Sequence, residues 1–387
     1  MAGKIRMGMV GGGTGAFIGA IHRFAALGDG LIELVAGAFS SDPAVSAESG
    51  KNLFMDSSRV YGSFREMIEK EASLPEDLRM HFVAIVTPNF AHFEPAMLAL
   101  EHGFHVLLEK PMTLNSNEAI ELAQKVKSSG LLLGLTHTYT GYPMVKQARE
   151  MVKEGKLGKL RKIYVHYHQG WLSRLSESEG NKQASWRTDP KKSGKCGAMG
   201  DIGTHAFNLA EYISGLEVKA INAMLNTVVE GRRLDDDGMV MIQFSEGVTG
   251  ILTATQVAAG EENDLRIHIY GEDGGLEWHQ MEPNTLIFKP LEGPAQIYRA
   301  GNGYLGESAA RNARTPGGHP EGYLEAFANI YRNFAKAIST RLNNEDYDES
   351  VFDFPGVEDG VRGMAFIDHV VKSSESNEKW IPFRVEI

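Results

Sequence analysis

The stretch IRMGMVGGGTGA at residues 5–16 decides the fold of the N-terminal part of the chain. Its first half, Ile5–Val10, predicts a short buried strand, and the apolar periodic segment from Phe17 to Leu27 predicts a helix after the glycines. Strand, glycine turn and helix are the context in which a Gly-x-Gly-x-x-Gly/Ala pattern binds a dinucleotide. Gly11 can take the positive φ of the turn, and Gly13 lets the backbone approach a pyrophosphate held by helix N–H groups. The alternative is a glycine turn that binds nothing.

Two details of this nucleotide-binding loop stay open. The third small position is either Ala16 or, in a lengthened loop, Gly19. Two serines follow the next apolar run, residues 31–39, where such folds read the adenosine ribose. A small hydroxyl leaves room for a 2′-phosphate, but no arginine follows immediately, which slightly favours NAD over NADP as the cofactor. The residues predicted to bind the cofactor here are Gly11, Gly13, Thr14, Gly15, Ala16, Phe17, Ile18, Ser40 and Ser41.

Strands and helices continue to alternate up to about residue 137. Buried strands are predicted at residues 82–86, 104–108 and 131–136, and helices at residues 92–102 and 116–127. Repeated βα units predict an α/β domain with a doubly wound parallel sheet, the Rossmann fold, in which ligands lie outside the carboxyl ends of the strands. The residues predicted to bind the cofactor at those ends are Thr87, Pro88, Asn89, His92, Glu109, Lys110 and Pro111.

After residue 138 the pattern changes to closely spaced alternating segments, at residues 160–168, 239–244, 249–257 and 265–270. Such segments predict a mostly antiparallel open sheet with helices on one face, which is an α+β domain. We therefore expect a Rossmann domain at residues 1–137 and a substrate-binding and oligomerisation domain at residues 138–387, with the option that the C-terminal helix packs back on the first domain. The crevice between two such domains is the default substrate site.

Composition narrows the class of protein. The net charge of −11 over 387 residues argues against nucleic acid or an anionic membrane as a partner. A single cysteine, Cys196, excludes an intramolecular disulfide and favours a cytoplasmic location, and neither a signal peptide nor a membrane span is visible. Two local expectations follow: a long irregular loop at residues 292–318, and a solvated turn at Asp235-Asp236-Asp237.

The second domain carries its own chemical cluster in GAMGDIGTH, residues 197–205. Asp201 and His205 are four residues apart, at the start of an amphipathic helix that ends at Gly215. That spacing puts the carboxylate and the imidazole on one face, within reach of a single bound molecule. The alternative is an acid at a helix start and a histidine that meets a neighbouring side chain.

With these motifs, the chain resembles the Gfo/Idh/MocA family of NAD(P)-dependent oxidoreductases, which includes glucose–fructose oxidoreductase and inositol dehydrogenases. The resemblance covers the glycine loop, Thr87-Pro88-Asn89 with His92, Glu109-Lys110-Pro111, the 197–205 cluster and the closing helix at 361–372. It implies that Lys110, Asp201 and His205 converge on the reacting hydroxyl, and that the Lys110–Pro111 peptide is often cis. The longer glycine loop and Ser40 depart from the common pattern, which leaves cofactor selectivity open.

The trio suits the oxidation of a secondary alcohol, in which a nicotinamide accepts the hydride and another group must take the proton. Histidine, with an ordinary pKa of about 6.5, is a suitable base, lysine can stabilise the developing alkoxide, and aspartate can orient either the base or the substrate. No metal is required, and His166 and His168, two apart on a strand, predict sheet or interface packing because no third ligand follows at metal spacing. The predicted substrate-binding residues are Lys110, His137, Tyr139, Tyr142, Trp186, Arg187, Asp201, His205, His319 and Tyr323, with aromatic packing as the alternative for several of them.

Three functions fit these residues. The first is an NAD(P)-dependent dehydrogenase that acts on a secondary hydroxyl of a sugar, cyclitol or related polyol. The second is a redox-neutral NAD-dependent glycosidase, and the third is a non-catalytic nucleotide-sensing regulator of the same fold; retention of Lys110, Asp201 and His205 argues against the third. Exposed sheet edges and faces in the second domain predict a homodimer or homotetramer.

Overall fold

The computed structural model describes residues 3–343, 345 and 352–385. The chain divides into two compact units. Unit 1 comprises Met1–Thr136 and Phe327–Val361, and unit 2 comprises His137–Ala326 and Arg362–Glu386. The chain therefore leaves the N-terminal unit at residue 136 and rejoins it for one later segment.

Unit 1 is built on a five-stranded parallel sheet in the order β2-β1-β3-β4-β5. Its N-terminal elements are β1 (Ile5–Val10), α1 (Phe17–Leu27), β2 (Ile32–Ala38), α2 (Pro43–Asn52), α3 (Phe64–Ala72), β3 (Phe82–Ile85), α4 (Phe93–Glu101), β4 (His105–Leu108), α5 (Ser116–Ser129) and β5 (Leu133–Leu135). Strands β3, β4 and β5 are buried at every position, as expected of parallel strands covered on both faces. The predicted Rossmann fold is confirmed.

Unit 2 is built on a nine-stranded sheet in the order β13-β12-β11-β10-β6-β9-β8-β7-β14. Its strands are β6 (Leu160–His168), β7 (Val218–Asn226), β8 (Asp237–Phe244), β9 (Thr249–Thr255), β10 (Asp264–Gly271), β11 (Gly274–His279), β12 (Thr285–Pro290), β13 (Gln296–Arg299) and β14 (Ile381–Pro382). Strands β6 and β9 pair in parallel, and the other pairs among these strands are antiparallel. The prediction of a mostly antiparallel sheet is confirmed.

The helices of the second half are α6 (Pro143–Lys153), α7 (Lys182–Arg187), α8 (Pro190–Ser193), α9 (Thr204–Ser214), α10 (Glu307–Asn312), α11 (Tyr323–Leu342) and α12 (Val357–Glu375). Helix α9 packs on strands β6, β9 and β10. Strand β6 alternates accordingly: Ile163, Val165 and Tyr167 are buried on the helix side, whereas Tyr164 is exposed on the other. We call that other side, formed by alternate residues of β6 to β10, the open face of the sheet.

Two local predictions were wrong. Residues 292–318 are not one irregular loop, because they contain strand β13 and helix α10. Asp235 and Asp236 do not lie in a solvated turn; both are buried, because backbone N–H groups and Arg232 bind their carboxylates. In the described part of the chain, every helix is too short or too polar to cross a bilayer.

Candidate active site

The glycine turn of unit 1 has the geometry of an anion-binding loop. Gly11 has a φ of +82°, as predicted for the tight turn after β1. A Cβ atom on Gly19 would lie 2.2 Å from the carbonyl oxygen of Gly12, so Gly19 is the small residue that lets α1 pack against the turn. Ala16 instead precedes the helix and cannot cap it with its side chain. The lengthened-loop alternative is therefore the one that the structure adopts.

Helix α1 presents its N-terminus to this turn without a competing charge. The first turn of α1, residues 17–20, contains no acidic side chain. Backbone N–H groups at the start of a helix attract anions, and the macrodipole adds to that attraction. Gly11 N and Gly13 N donate to the carbonyl oxygens of Ala38 (2.9 Å) and Phe39 (3.1 Å), which fixes the loop to the end of β2. The loop is thus shaped to hold a pyrophosphate group.

The end of β2 offers hydroxyl groups to a ribose. Ser40 is half-buried, and its Oγ accepts a hydrogen bond from the backbone N–H of Asp42 at 3.1 Å. Asp42 caps helix α2: its Oδ1 accepts a hydrogen bond from Ala44 N at 2.9 Å, so this carboxylate oxygen is bound to the helix N-terminus. Ser41 is exposed beside them. The first turn of α2, residues 43–46, carries no basic side chain that could neutralise a 2′-phosphate.

The glutamate of the Glu109-Lys110-Pro111 motif anchors the end of β4. The Oε1 atom of Glu109 accepts a hydrogen bond from Thr136 Oγ1 at 2.5 Å and lies 2.9 Å from Nε2 of His22. The other ring nitrogen of His22, Nδ1, lies 2.6 Å from the hydroxyl of Tyr331. Burial by itself would raise the pKa of Glu109. Three neighbours outweigh burial and lower this pKa to about 2: His22 through a hydrogen bond and its charge, Lys110 through its charge, and Thr136 through a hydrogen bond. Glu109 is therefore an ionised anchor that fixes the backbone of the adjoining Lys110.

A buried histidine links the two polar segments of unit 1. The ring nitrogens of His92 lie 2.8 Å from the carbonyl oxygen of Thr87 and 2.9 Å from that of Pro111. Burial lowers the pKa of His92, so the neutral ring donates to one of these oxygens at a time. Asn89 is buried beside them, and the Lys110–Pro111 peptide is cis, as the resemblance implied. His92 thus fixes the Thr87-Pro88-Asn89 segment to the segment that carries Lys110.

In unit 2, the loop that leads to Asp201 is held by a buried carboxylate. The side chain of Asp235 accepts from Gly197 N at 2.6 Å and from Met199 N at 2.7 Å. Burial raises the pKa of Asp235 to about 6, although those two N–H groups act in the opposite direction. A π-helical turn, Met199–Gly203, follows and runs directly into α9. The single helix predicted here is therefore two segments, and Asp201 lies in the π-helical turn, a feature common at functional sites.

Asp201 is bound by a cation and an amide. Its Oδ2 accepts from Arg187 Nε at 3.2 Å and from Gln256 Nε2 at 3.0 Å. The guanidinium carbon of Arg187 lies 4.2 Å from the ring centroid of Trp186 and 5.9 Å from that of Trp171. Planar aromatic rings and a guanidinium fork are groups that stack on a sugar ring and bind its hydroxyls.

His205 lies in a buried aromatic cluster. Its Nδ1 is 3.3 Å from Nδ1 of His137, and its ring meets that of Tyr139 edge to face at 4.8 Å between centroids. The hydroxyls of Tyr139 and Tyr167 share a short hydrogen bond. Burial raises the pKa of both tyrosines above the usual range, so both are protonated phenols that can donate. Of the trio implied by the resemblance, Asp201 and His205 lie in unit 2 and Lys110 lies in unit 1.

Amide side chains connect the two ends of this cluster, and sequence reasoning missed them. Gln256 Nε2 lies 3.3 Å from Gln169 Oε1, and Gln169 Nε2 donates to Asn263 Oδ1 at 2.7 Å. Asn263 in turn accepts from the hydroxyl of Tyr167 at 2.6 Å. These residues follow or precede strands β6, β9 and β10, so polar side chains at strand ends were the available signal, but only the strand order shows that they meet.

The three remaining predicted substrate residues lie in three different environments. Tyr323 lies close enough to Tyr167 for its charge to raise the pKa of that phenol, and Asp201 acts on Tyr167 in the same way. Tyr142 is buried against Trp278 with ring centroids 5.4 Å apart, which is core packing. His319 is exposed in a turn, where its Nδ1 lies 3.3 Å from the carbonyl oxygen of Pro316. Its role as a substrate residue stays a prediction.

The fold and these side chains define the class of the protein. Unit 1 has the glycine turn, the free helix N-terminus and the polar strand ends that bind a dinucleotide, and unit 2 has an acid, an imidazole and neutral phenols in one connected cluster. The first unit matches the family model described as "Oxidoreductase family, NAD-binding Rossmann fold" over residues 5–137, and residues 145–277 match the "GFO/IDH/MocA C-terminal domain". The chain is an NAD-dependent oxidoreductase.

Similarity to known proteins extends over the full chain. The chain is 30% identical over 383 residues to the uncharacterized oxidoreductase YfiI of Bacillus subtilis, and the match covers 98% of this chain and 97% of that protein. It is 28% identical to the levoglucosan dehydrogenase of Pseudarthrobacter phenanthrenivorans, over 73% of this chain and 75% of that enzyme. The crystal structure of an inositol dehydrogenase homolog complexed with NAD+ from Azotobacter vinelandii superimposes with a TM-score of 0.94, at 34% identity, over 99% of this chain and 98% of that one. The chain belongs to the Gfo/Idh/MocA family of oxidoreductases.

Proposed function

We propose that this enzyme oxidises a secondary hydroxyl of a sugar, cyclitol or related polyol, with NAD+ as the hydride acceptor. The observation that carries the proposal is the cluster of unit 2. In it, amide side chains link Asp201 to two protonated tyrosines, and the ring of His205 packs against one of these tyrosines. Such a cluster matches a neutral molecule with several hydroxyl groups, because it offers both donors and acceptors. The names of the levoglucosan dehydrogenase and the inositol dehydrogenase homolog agree with this substrate class.

His205 is proposed as the base that takes the hydroxyl proton. A proton can be accepted at Nε2 only if Nδ1 carries the ring hydrogen of the neutral form, and that Nδ1–H then donates to Nδ1 of His137. This tautomer, with His205 as the donor in the contact between the two rings, is part of the proposal. His137 keeps accepting from the same N–H after His205 is protonated, which stabilises the imidazolium.

Lys110 and Asp201 are proposed to complete the chemistry. The Lys110 amine would donate to the substrate oxygen while negative charge develops there, and Glu109 and His92 fix the backbone that carries it. Asp201 would accept from a neighbouring substrate hydroxyl. Arg187 and Gln256 support that role, because they hold its carboxylate in one orientation.

NAD is the preferred form of the cofactor. The residues proposed to hold it are those of the glycine turn with the start of α1, the serines after β2 and the Thr87-Pro88-Asn89 segment. When bound, the nicotinamide supplies the hydride acceptor for the oxidation. The small hydroxyl of Ser40 leaves room for a 2′-phosphate, but the first turn of α2 has no base to neutralise one, which favours a free ribose.

A substrate screen tests the proposal. The purified enzyme would be assayed with inositols, levoglucosan and common hexoses, with NAD+ and NADP+ in parallel, by the absorbance of the reduced nicotinamide. We expect turnover with at least one cyclitol or sugar, at a higher kcat/KM with NAD+. A tightly held cofactor and glycoside cleavage without net NADH release would point to the redox-neutral glycosidase instead.

A further inference from the structure

The open face of the sheet in unit 2 carries a group of imidazole and carboxylate side chains on neighbouring strands. His166 and His168 stand on β6, and Asp264 stands on β10, where it lies directly opposite His168 in the antiparallel register. One ligand atom from each of these three residues lies within 4.8 Å of the others. The sequence could not show this third residue, because it comes almost a hundred positions later and is brought in by strand pairing.

The distances within the group suit a shared ion. Nε2 of His166 lies 3.2 Å from Oδ2 of Asp264. Two ligands bound to one Zn2+ at their usual bond lengths, in tetrahedral geometry, are themselves about 3.3 Å apart. The rings of His166 and His168 stack with centroids 4.5 Å apart, and Nε2 of His168 is 2.9 Å from Thr253 Oγ1. Binding to the same ion would require His168 to exchange its contact with Thr253 for the metal.

A third histidine adjoins the carboxylate from the other side. Nε2 of His279, on β11, lies 2.8 Å from Oδ1 of Asp264. That nitrogen is buried and is not aligned for a hydrogen bond with any residue that the structure describes. The Asp264 carboxylate therefore lies between two imidazoles, with Oδ2 towards His166 and Oδ1 towards His279.

We propose that His166, His168 and Asp264, with His279 adjacent, form a binding site for a divalent transition-metal ion, for which Zn2+ is the best match. Two imidazoles and one carboxylate form a nitrogen and oxygen donor set that Zn2+ accepts, whereas Mg2+ and Ca2+ require oxygen donors.

A positive charge near the group limits the affinity. The Nε of Arg266 donates to Oδ1 of Asp264 at 2.7 Å, on the side of the carboxylate that faces His279. The other oxygen, Oδ2, faces His166. The carboxylate can therefore bind a cation through Oδ2 while Arg266 keeps its hydrogen bond.

The site is separate from the chemistry proposed above. Residues alternate along β6, so Tyr167 of the aromatic cluster is buried on the helix side, while His166 and His168 flank it on the open face. A metal ion here would join β6 to β10 and leave the reacting side chains untouched. Its role is thus structural, and the inference does not depend on the identity of the substrate.

Calorimetric titration of the chelator-treated enzyme with zinc chloride tests the site. We expect one Zn2+ per chain for the native protein, and at least a tenfold loss of affinity in both His168→Gln and Asp264→Asn, since each removes a ligand. His268→Asn is the matched control, because His268 lies on β10, on the same face, but outside the group; we expect it to bind Zn2+ like the native protein.

Cobalt provides a second readout that does not rely on the variants. Co2+ added to the native protein should give the intense visible absorption of a four-coordinate ion, and Zn2+ should displace it. Absence of zinc binding to the native protein would refute the site. So would binding that persists in both His168→Gln and Asp264→Asn, or an equal loss in His268→Asn, because either result would locate the ion elsewhere.

Discussion

Nδ1 of His137 lies 3.3 Å from Nδ1 of His205, and the two buried rings meet edge to face. His137 is the first residue of unit 2, immediately after the Rossmann part of the chain, and His205 is in the first turn of α9. The contact ties the protonation of one ring to the hydrogen-bonding of the other. General-base catalysis at Nε2 of His205 requires that the hydrogen in this contact be carried by Nδ1 of His205, with Nδ1 of His137 as the acceptor.

His205→Asn should lower kcat about 10²–10⁴-fold, the usual contribution of a general base, and should flatten the pH dependence of kcat near neutrality. Asparagine keeps a hydrogen-bonding group but cannot take a proton in this range. The pH profile of kcat, measured beside His268→Asn as a control on the open face, checks this. An unchanged profile in His205→Asn would remove this residue as the base.

Lys110→Ala should reduce kcat strongly while NAD+ binding, followed by calorimetry, stays nearly intact. The amine is proposed to stabilise charge that exists only during the reaction, so its loss should affect turnover rather than the ground state. Lys127→Ala, an exposed lysine at the end of α5, is the control. Parallel losses of turnover and NAD+ affinity would instead mark Lys110 as a cofactor-binding residue.

Arg187→Lys should raise KM for the polyol about tenfold, with a smaller effect on kcat. Lysine keeps the positive charge but loses the planar fork that binds Asp201 and stacks on Trp186. Arg233→Lys offers a matched control, because Arg233 forms an exposed ion pair with Asp189. Equal effects of both substitutions on KM would argue against a specific role for Arg187 in substrate binding.

Asp235→Asn should change how stability depends on pH. The folded-state pKa of Asp235 is raised to about 6, so the folded protein holds this proton more tightly than the unfolded chain does. The resulting stabilisation is complete below the ordinary pKa of aspartate, about 3.9, and is lost as pH rises through about 6. A shift of about two pKa units corresponds to a free energy on the order of 3 kcal/mol.

Urea unfolding between pH 4 and pH 8 measures this dependence. The decline of the unfolding free energy over that range should be smaller in Asp235→Asn than in the native protein, and unchanged in Asp77→Asn, whose side chain is exposed. Parallel curves for the native protein and Asp235→Asn would contradict the shifted pKa. A lower stability of Asp235→Asn at every pH is expected as well, because an amide oxygen cannot replace both acceptors for Gly197 N and Met199 N.

Light scattering should find a homodimer or homotetramer. The open face exposes a group of apolar side chains on adjacent strands, a typical feature of a contact surface between copies. Its members are Tyr164, Met224, Met239, Met241, Ile251 and Tyr270. Met241→Glu should shift the protein to a smaller species, whereas Leu291→Glu, at an exposed apolar residue beyond β12, should not. A native protein that is purely monomeric would refute the expectation.

The local patterns of the sequence predicted most of the fold. Strand β1, helix α1 and strand β6 have the predicted limits, because the apolar period and the glycines that follow are local properties. Strand β13 and helix α10 were not predicted, because their segments have no such local apolar pattern. Their sequences are short and polar, and β13 is a strand through its pairing with β12 at the edge of the sheet.

Burial of polar groups was not visible in the sequence. The run Asp235-Asp236-Asp237 has the composition of a surface turn, yet Asp235 and Asp236 are buried because they accept hydrogen bonds from backbone N–H groups on segments 7 to 38 residues away. Likewise, the choice between Ala16 and Gly19 depended on how closely α1 approaches the turn, and that distance is a tertiary property.

The sequence by itself determined a glycine turn after a buried strand, a lysine and a proline at a strand end, and an aspartate four residues before a histidine, because each depends on spacing along one short segment. Only the tertiary structure decided that Gln256, Asn263 and Tyr167 join Asp201 and His205, and that Asp264 lies beside His166 and His168. The physical reason is that strand order and register set which distant residues become neighbours, and these arise from the packing of the whole sheet.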